Sequence, residues 1–261
     1  MRLENRVVII TGAADGIGRA IALRFGKEGA IVVVSDRDQE PLASKDGSAS
    51  TADTVVASGG TACYIAADVS RWDQVDNLVN ETVERYGRLD VMVNNAAVFN
   101  FSSILDTSEG DWDNLMSVNL RGNFLCCKRA VMQMMTQELL NEVRGRIVNI
   151  SSQHGMVGPP SSFSYGVSKG GVVQMTRQLA VDYAKDHIIV NAVAPGRIVT
   201  GTHPGDEDLT SNVFDYSRSR TPFPRLGRAE DVAGAALFLA SDDCSFVSGH
   251  NLLVDGGWMA Y

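Results

Sequence analysis

The chain has 261 residues, of which 44% are hydrophobic and 21% charged. That balance excludes disordered, collagen-like and low-complexity classes, and a chain this long buries about three-quarters of its unfolded surface without metal or disulfide staples. Lys and Arg number 23 against 31 Asp and Glu, a net charge of −8, which argues against a nucleic-acid footprint and against an anionic membrane surface.

The run Val7-Val8-Ile9-Ile10-Thr11 is short, apolar and β-branched, as a strand buried on both faces is. A glycine-rich turn follows, and Ile17, Ala20, Ile21, Leu23 and Phe25 then fall at helical spacing up to Gly29. Ile31 to Ser35 is the next strand, closed by Asp36, and 38–58 is polar and weakly helical. Thr61 to Ala66 is a third strand ending at Asp68-Val69. Ser70 is expected to cap a helix running to Tyr86, with Asp73 completing a capping box. Val91 to Asn94 is a fourth strand.

The stretch from Asp111 to Gln137 reads as one long helix, yet Leu115, Met116, Val118, Phe124, Leu125, Val131, Met134 and Met135 are too many for one face. Arg146 to Ile150 is a fifth strand, Ser164 to Lys185 a helix, and Ile188 to Val193 a sixth strand. Residues 200–222 are polar and irregular, a candidate substrate lid. Ala229 to Ala240 is an apolar helix, and Asn251 to Val254 a last short strand. Strands alternating with helices predict an α/β fold: a doubly wound parallel sheet of about seven strands with helices on both faces, in a single domain over 1–261.

Cys63, Cys126, Cys127 and Cys244 have no metal-ligand spacing and read as buried thiols in a reducing compartment; no metal is expected. No apolar stretch approaches the ~18 residues of a membrane helix. A soluble, cytoplasmic protein is the expectation, without nucleic-acid or membrane partners. The polar stretch 44–50 has no functional reading.

Two regions carry chemistry. Gly12-Ala13-Ala14-Asp15-Gly16-Ile17-Gly18 lies between the first strand and the first helix. There glycines permit a tight turn and let backbone N–H groups approach a pyrophosphate. Asp36, 18 residues beyond Gly18, can accept hydrogen bonds from an adenosine ribose and would repel a 2′-phosphate; Asp15 adds to that repulsion. Arg37 points the other way, since a guanidinium pairs with phosphate. The balance predicts NAD over NADP.

The second region is Tyr165 and Lys169, spaced i, i+4 on one helix face. A free tyrosine has a pKa near 10, and an ammonium one turn away is expected to lower it. Ser152 ends the fifth strand upstream, where doubly wound sheets bind ligands.

With its Gly-x3-Gly-x-Gly turn, Asn94-Asn95-Ala96-Ala97, Asn119, Ser152 and Tyr165-x3-Lys169 in order, the chain resembles the single-domain short-chain dehydrogenase/reductase family over nearly its whole length. Ala97 stands where the family usually has glycine, which is tolerated only at negative φ.

The resemblance implies a Rossmann-type oxidoreductase with the tetrad Asn119, Ser152, Tyr165 and Lys169. Tyr165 exchanges a proton with the substrate oxygen, and Ser152 holds that oxygen. Lys169 tunes the tyrosine and binds the nicotinamide ribose, and Asn119 positions a proton-relaying water. It also implies cofactor contacts from Asn95, Ala96 and Ala97, from Pro195, Gly196, Ile198 and Thr200, and from Asp68 and Val69 beside adenine.

Three residues between Tyr165 and Lys169 favour carbonyl/alcohol chemistry, where six would have suggested an enoyl reductase. His154 is a candidate for hydrogen-bonding the substrate alongside Ser152 and Tyr165. The expected reaction is NAD-dependent hydride transfer to or from a secondary alcohol or ketone, with a sugar, polyol or small hydroxyketone as substrate. The alternatives are an NADPH-linked ketoacyl or carbonyl reductase and a non-catalytic dinucleotide-sensing module. Members of this kind usually form homotetramers.

Overall fold

The computed structural model describes residues 1–37, 49–201 and 212–260. Mostly apolar runs become strands: β1 (Val7–Thr11), β2 (Ile31–Asp36), β3 (Thr61–Ala66), β4 (Val91–Asn94), β5 (Gly145–Ile150) and β6 (Ile188–Pro195). β7 (Ile198–Val199) and β8 (Gly227–Arg228) make a separate small ladder, and β9 (Asn251–Val254) closes one edge of the main sheet. The main sheet has seven parallel strands in the order β3-β2-β1-β4-β5-β6-β9.

Its helices are α1 (Gly16–Lys27), α2 (Thr51–Ala57), α3 (Trp72–Tyr86), α4 (Glu109–Met116), α5 (Asn123–Met134), α6 (Phe163–Tyr183), α7 (Asn212–Arg220) and α8 (Ala229–Ala240). Both sheet faces are covered, so each strand divides its residues between two cores. From β1, Val8 and Ile10 join Ile21 and Phe25 of α1 and Leu237 of α8. Ile9 joins Leu78 of α3 and Met134 of α5 on the other face. This is a single-domain Rossmann-like arrangement.

Connections leave β1 and β4 in opposite directions, because β2 flanks β1 on one side and β4 on the other. A crevice opens at the C-terminal ends of those two strands, as this topology requires.

Two local expectations are corrected. Ser70 does not cap α3: its hydroxyl bonds Asp68 Oδ1 at 2.7 Å, and the helix starts one residue past Arg71, which makes no side-chain cap bond. An aspartate two residues back competes successfully for a serine hydroxyl. The long helix is also not one helix. Between α4 and α5, Ser117–Gly122 form a π-turn, and the regular helix ends at Met134 rather than Gln137. Within the polar stretch 44–50, residues 44–48 lie outside the described residues. Ser50, at its end, caps α2 through Asp53 N.

Candidate active site

The crevice begins at the glycine turn. Gly12 and Gly16 hold φ of +62° and +55°, the left-handed region that suits glycine. Gly18 is required by crowding instead: a Cβ there would press on Gly12 O and lie 2.6 Å from Asn95 Nδ2. Asn95 is what ties the turn to the neighbouring strand, since its Nδ2 donates to Thr11 O at 3.0 Å and Gly12 O at 2.8 Å. The backbone N–H groups of Asn95 and Ala96 in turn donate to Thr11 Oγ1. Ala97 keeps out of the left-handed region, which accommodates its methyl.

Asp15 has a structural task that its charge did not advertise: its carboxylate caps α1 by accepting from Gly16 N at 2.7 Å. Asp36 closes β2 beside it, accepting from Ala14 N at 3.2 Å and Arg37 N at 2.8 Å. Asp68 is held by Ser70, whose N–H and O–H both donate to it.

One cavity of about 800 Å³ runs from this end to the tyrosine–lysine helix. Every cofactor position read from the sequence except Gly18 lines it: Gly12, Asp15, Gly16, Ile17, Asp36, Arg37, Asp68, Val69, Asn95, Ala96, Ala97, Tyr165, Lys169, Pro195, Gly196, Ile198 and Thr200. Ser152 and His154 line it as well. Asn119 does not. Buried in the π-turn, it accepts from Val98 N at 2.8 Å and donates to Val98 O at 2.9 Å. Its side chain therefore pins the segment leaving β4.

Tyr165, Lys169 and Ser152 are all buried. Lys169 Nζ donates to Ile150 O at 2.8 Å and sits 5.7 Å from the Tyr165 ring centre. The expected electrostatics are reversed: burial pushes the Tyr165 phenol up to about 12, with the Ser152 hydroxyl pulling it back down. Burial likewise lowers the Lys169 ammonium to about 8. Desolvation outweighs the pairing that spacing alone suggests, because the lysine is turned toward a main-chain carbonyl. His154 is half-buried and also held below its ordinary pKa by burial. Its backbone N–H donates to Ser152 Oγ at 3.1 Å.

A dinucleotide suits these residues. Lys169 uses one of its three N–H donors among the described residues, and Gln153 Oε1 is buried without a hydrogen-bond partner. Both face the cavity. The sequence reading missed Phe99 and Phe101, which line it together with Pro159, Pro160, Tyr216 and Trp258. The only available signal was two aromatics in a loop directly after a strand end. Of the candidate lid, 202–211 lie outside the described residues; α7, which follows, contributes Tyr216 and Ser217 to the cavity wall.

Comparisons with known proteins match nearly the whole chain. A family model described as enoyl-(acyl carrier protein) reductase matches residues 12–259. The 3-oxoacyl-[acyl-carrier-protein] reductase FabG of Thermotoga maritima is 40% identical over 257 residues, covering 98% of this chain and 99% of that one. The (2S)-[(R)-hydroxy(phenyl)methyl]succinyl-CoA dehydrogenase subunit BbsD of Thauera aromatica is 39% identical, covering 98% of each. Among solved structures, one from Burkholderia xenovorans described as a short-chain dehydrogenase/reductase superposes with a TM-score of 0.88 at 36% identity. The match covers 100% of this chain and 98% of that one.

Proposed function

The chain belongs to the short-chain dehydrogenase/reductase family, and from that premise we propose that it is an NAD-dependent oxidoreductase acting on a secondary alcohol or ketone. The observation that carries this reading is the convergence of buried Ser152, Tyr165 and Lys169 on one cavity with the glycine turn. The family description names an enoyl reductase, but three residues between Tyr165 and Lys169 favour carbonyl chemistry. The two curated relatives, by name a dehydrogenase of a hydroxy compound and a reductase of an oxo compound, agree with that side of the choice.

Gly12 and Gly16 to Gly18 would hold the pyrophosphate, Asp36 the adenosine ribose, and Asp68 and Val69 the adenine. Asn95, Ala96, Ala97, Lys169, Pro195, Gly196, Ile198 and Thr200 would hold the nicotinamide half. When bound, the nicotinamide supplies the hydride acceptor or donor. Tyr165 takes the proton of the substrate hydroxyl in oxidation and returns it in reduction. Ser152 donates a hydrogen bond to the substrate oxygen. Lys169 orients the ribose, and Asn119 acts as a positioning residue through Val98.

The test is NADH absorbance at 340 nm with a panel of alcohols, polyols, sugars and ketones. NADH binding without any turnover would favour the dinucleotide-sensing alternative.

A second reading, an NADPH-linked ketoacyl or carbonyl reductase, is favoured by Arg37 at the cavity rim. Asp36 decides between them. Asp36→Ala removes the carboxylate opposed to a 2′-phosphate, and kcat/KM for NADPH relative to NADH is expected to rise by about tenfold, roughly one ion-contact's worth of discrimination. A wild-type protein using both cofactors equally would sink the NAD assignment.

A homotetramer is proposed as the assembly. Phe124, Met132 and Met135 are exposed on α5 and the turn after it, and Phe246 and Leu253 near β9, apolar surface of the kind subunit contacts cover. Light scattering should give four times the chain mass.

A further inference from the structure

The walls around Tyr165 are aromatic to an extent that the catalytic reading does not require. Phe99 stacks on the Tyr165 ring with centres 5.0 Å apart and planes 29° from parallel. Phe101 continues the stack on Phe99 at 6.4 Å and 16°. On another side His154 meets Tyr165 edge-on at 6.1 Å and 89°.

These rings are presented rather than packed away. Phe99 is 39% exposed and Phe101 59%, both on the cavity. Both Asn119 hydrogen bonds to Val98 fix the backbone immediately before Phe99. Holding large apolar rings half-wet at a cavity mouth is unfavourable unless a ligand covers them.

The remaining described wall is mixed: Pro159, Pro160 and Trp258 are apolar or aromatic, and Gln153, His154, Ser161, Ser162, Arg197 and Ser217 are polar. It is the half-exposed rings beside the catalytic tyrosine that mark out one substrate shape. A planar ring needs a face to lie on, and offset near-parallel stacks are the geometry that aromatic pairs prefer.

We propose that the substrate carries an aromatic ring directly on the reacting carbon, so that this chain interconverts an aryl-bearing secondary alcohol and the corresponding aryl ketone, with Phe99 and Phe101 as the residues that select the ring. The proposal rests on the oxidoreductase reading above. In oxidation the carbinol C–H leaves as hydride to oxidised nicotinamide dinucleotide, and the hydroxyl proton goes to the Tyr165 oxygen. The products are the ketone and the reduced dinucleotide.

The test compares 1-phenylethanol, 1-cyclohexylethanol, 2,3-butanediol and glucose in wild type, Phe99→Leu and Phe101→Leu, reading kcat/KM. In parallel, protein saturated with oxidised NAD, which has no hydride to give a ketone, is titrated with acetophenone and with cyclohexyl methyl ketone by calorimetry. The phenyl compounds should be preferred over the cyclohexyl ones by about tenfold in both measurements, the size of an aromatic stacking preference. That ratio should fall to within about twofold in each variant. Faster turnover of glucose or butanediol, no ring preference in wild type, or a ratio that survives both substitutions overturns the proposal. Phe101 is mostly exposed, so Phe101→Leu remains informative if Phe99→Leu misfolds. If nothing turns over while NADH binds, the oxidoreductase reading fails. The ketone titrations then decide the stacking claim alone, ring-selective binding lost in Phe101→Leu supporting it and unselective binding overturning it.

Discussion

Replacing Tyr165 with phenylalanine is expected to lower kcat by about a hundred- to ten-thousandfold, the range over which a positioned proton donor or acceptor acts, while NADH binding measured by fluorescence titration stays close to wild type. The ring is buried and packed against Phe99, and the substitution keeps both features. Only the hydroxyl facing Ser152 is lost. A direction follows from the environment of that hydroxyl. Burial favours the neutral phenol by pushing its pKa up to about 12, so at neutral pH the residue is a proton donor, suited to ketone reduction. Alcohol oxidation needs the ionised form and should accelerate as pH rises from 7 to 10, while reduction does not. Initial rates in both directions across that range check the sign. A Phe variant that keeps most of its kcat would end the assignment.

Lys169→Met should produce two opposite effects, loss of turnover and gain of stability at neutral pH. The ammonium is 3% exposed and its pKa is lowered from 10.5 to about 8 by burial. Below about pH 8 the folded protein must hold a buried charge that the unfolded chain keeps in water, so the full penalty applies there. Between pH 8 and 10.5 the unfolded chain binds more protons, and stability rises with pH as the penalty fades. The penalty is about 3 kcal/mol, and methionine escapes it while forfeiting about 1 kcal/mol from the hydrogen bond to Ile150 O. The variant should therefore be more stable at pH 7 by about 2 kcal/mol, several degrees in Tm, and lose that advantage by pH 11. Denaturant melts at the two pH values measure it. A variant less stable than wild type at pH 7, or an equal gap at both, would refute the account. With the gain at pH 7 and its loss by pH 11, the lysine is an example of function held at the expense of stability.

The strands were legible because runs such as Val7–Thr11 and Val91–Asn94 have no polar face to offer water. Helix α8 matches its expected bounds, Ala229 to Ala240. The π-turn was not legible, since weak helix formers such as Ser117, Val118, Asn119 and Gly122 lower helix propensity without marking where an extra residue enters the turn. What selects it is tertiary: the pairing of Asn119 with Val98, a residue 21 positions away. In the site, the convergence of Ser152, Tyr165 and Lys169 could be read from spacing and position. Their proton affinities could not, because burial is set by the whole fold and it outweighs the neighbouring charge. Phe99 and Phe101 were invisible for a related reason. Two rings in a loop have no periodicity, and their meaning comes from the tyrosine, more than 60 positions on, that they stack beside.

The π-turn also sets a phase. One extra residue in a turn rotates everything after it by about 100° around the axis, so α5 does not continue the azimuth of α4. This explains the surplus of apolar residues in the stretch: Leu115 lies on one stripe, and Leu125, Cys126, Ala130 and Met134 lie on another. Chain length between 117 and 122 is thus a structural quantity in its own right. Removing any one of the five residues other than Asn119, whatever its identity, would restore regular pitch, swing the α5 stripe off the sheet and carry Asn119 away from Val98.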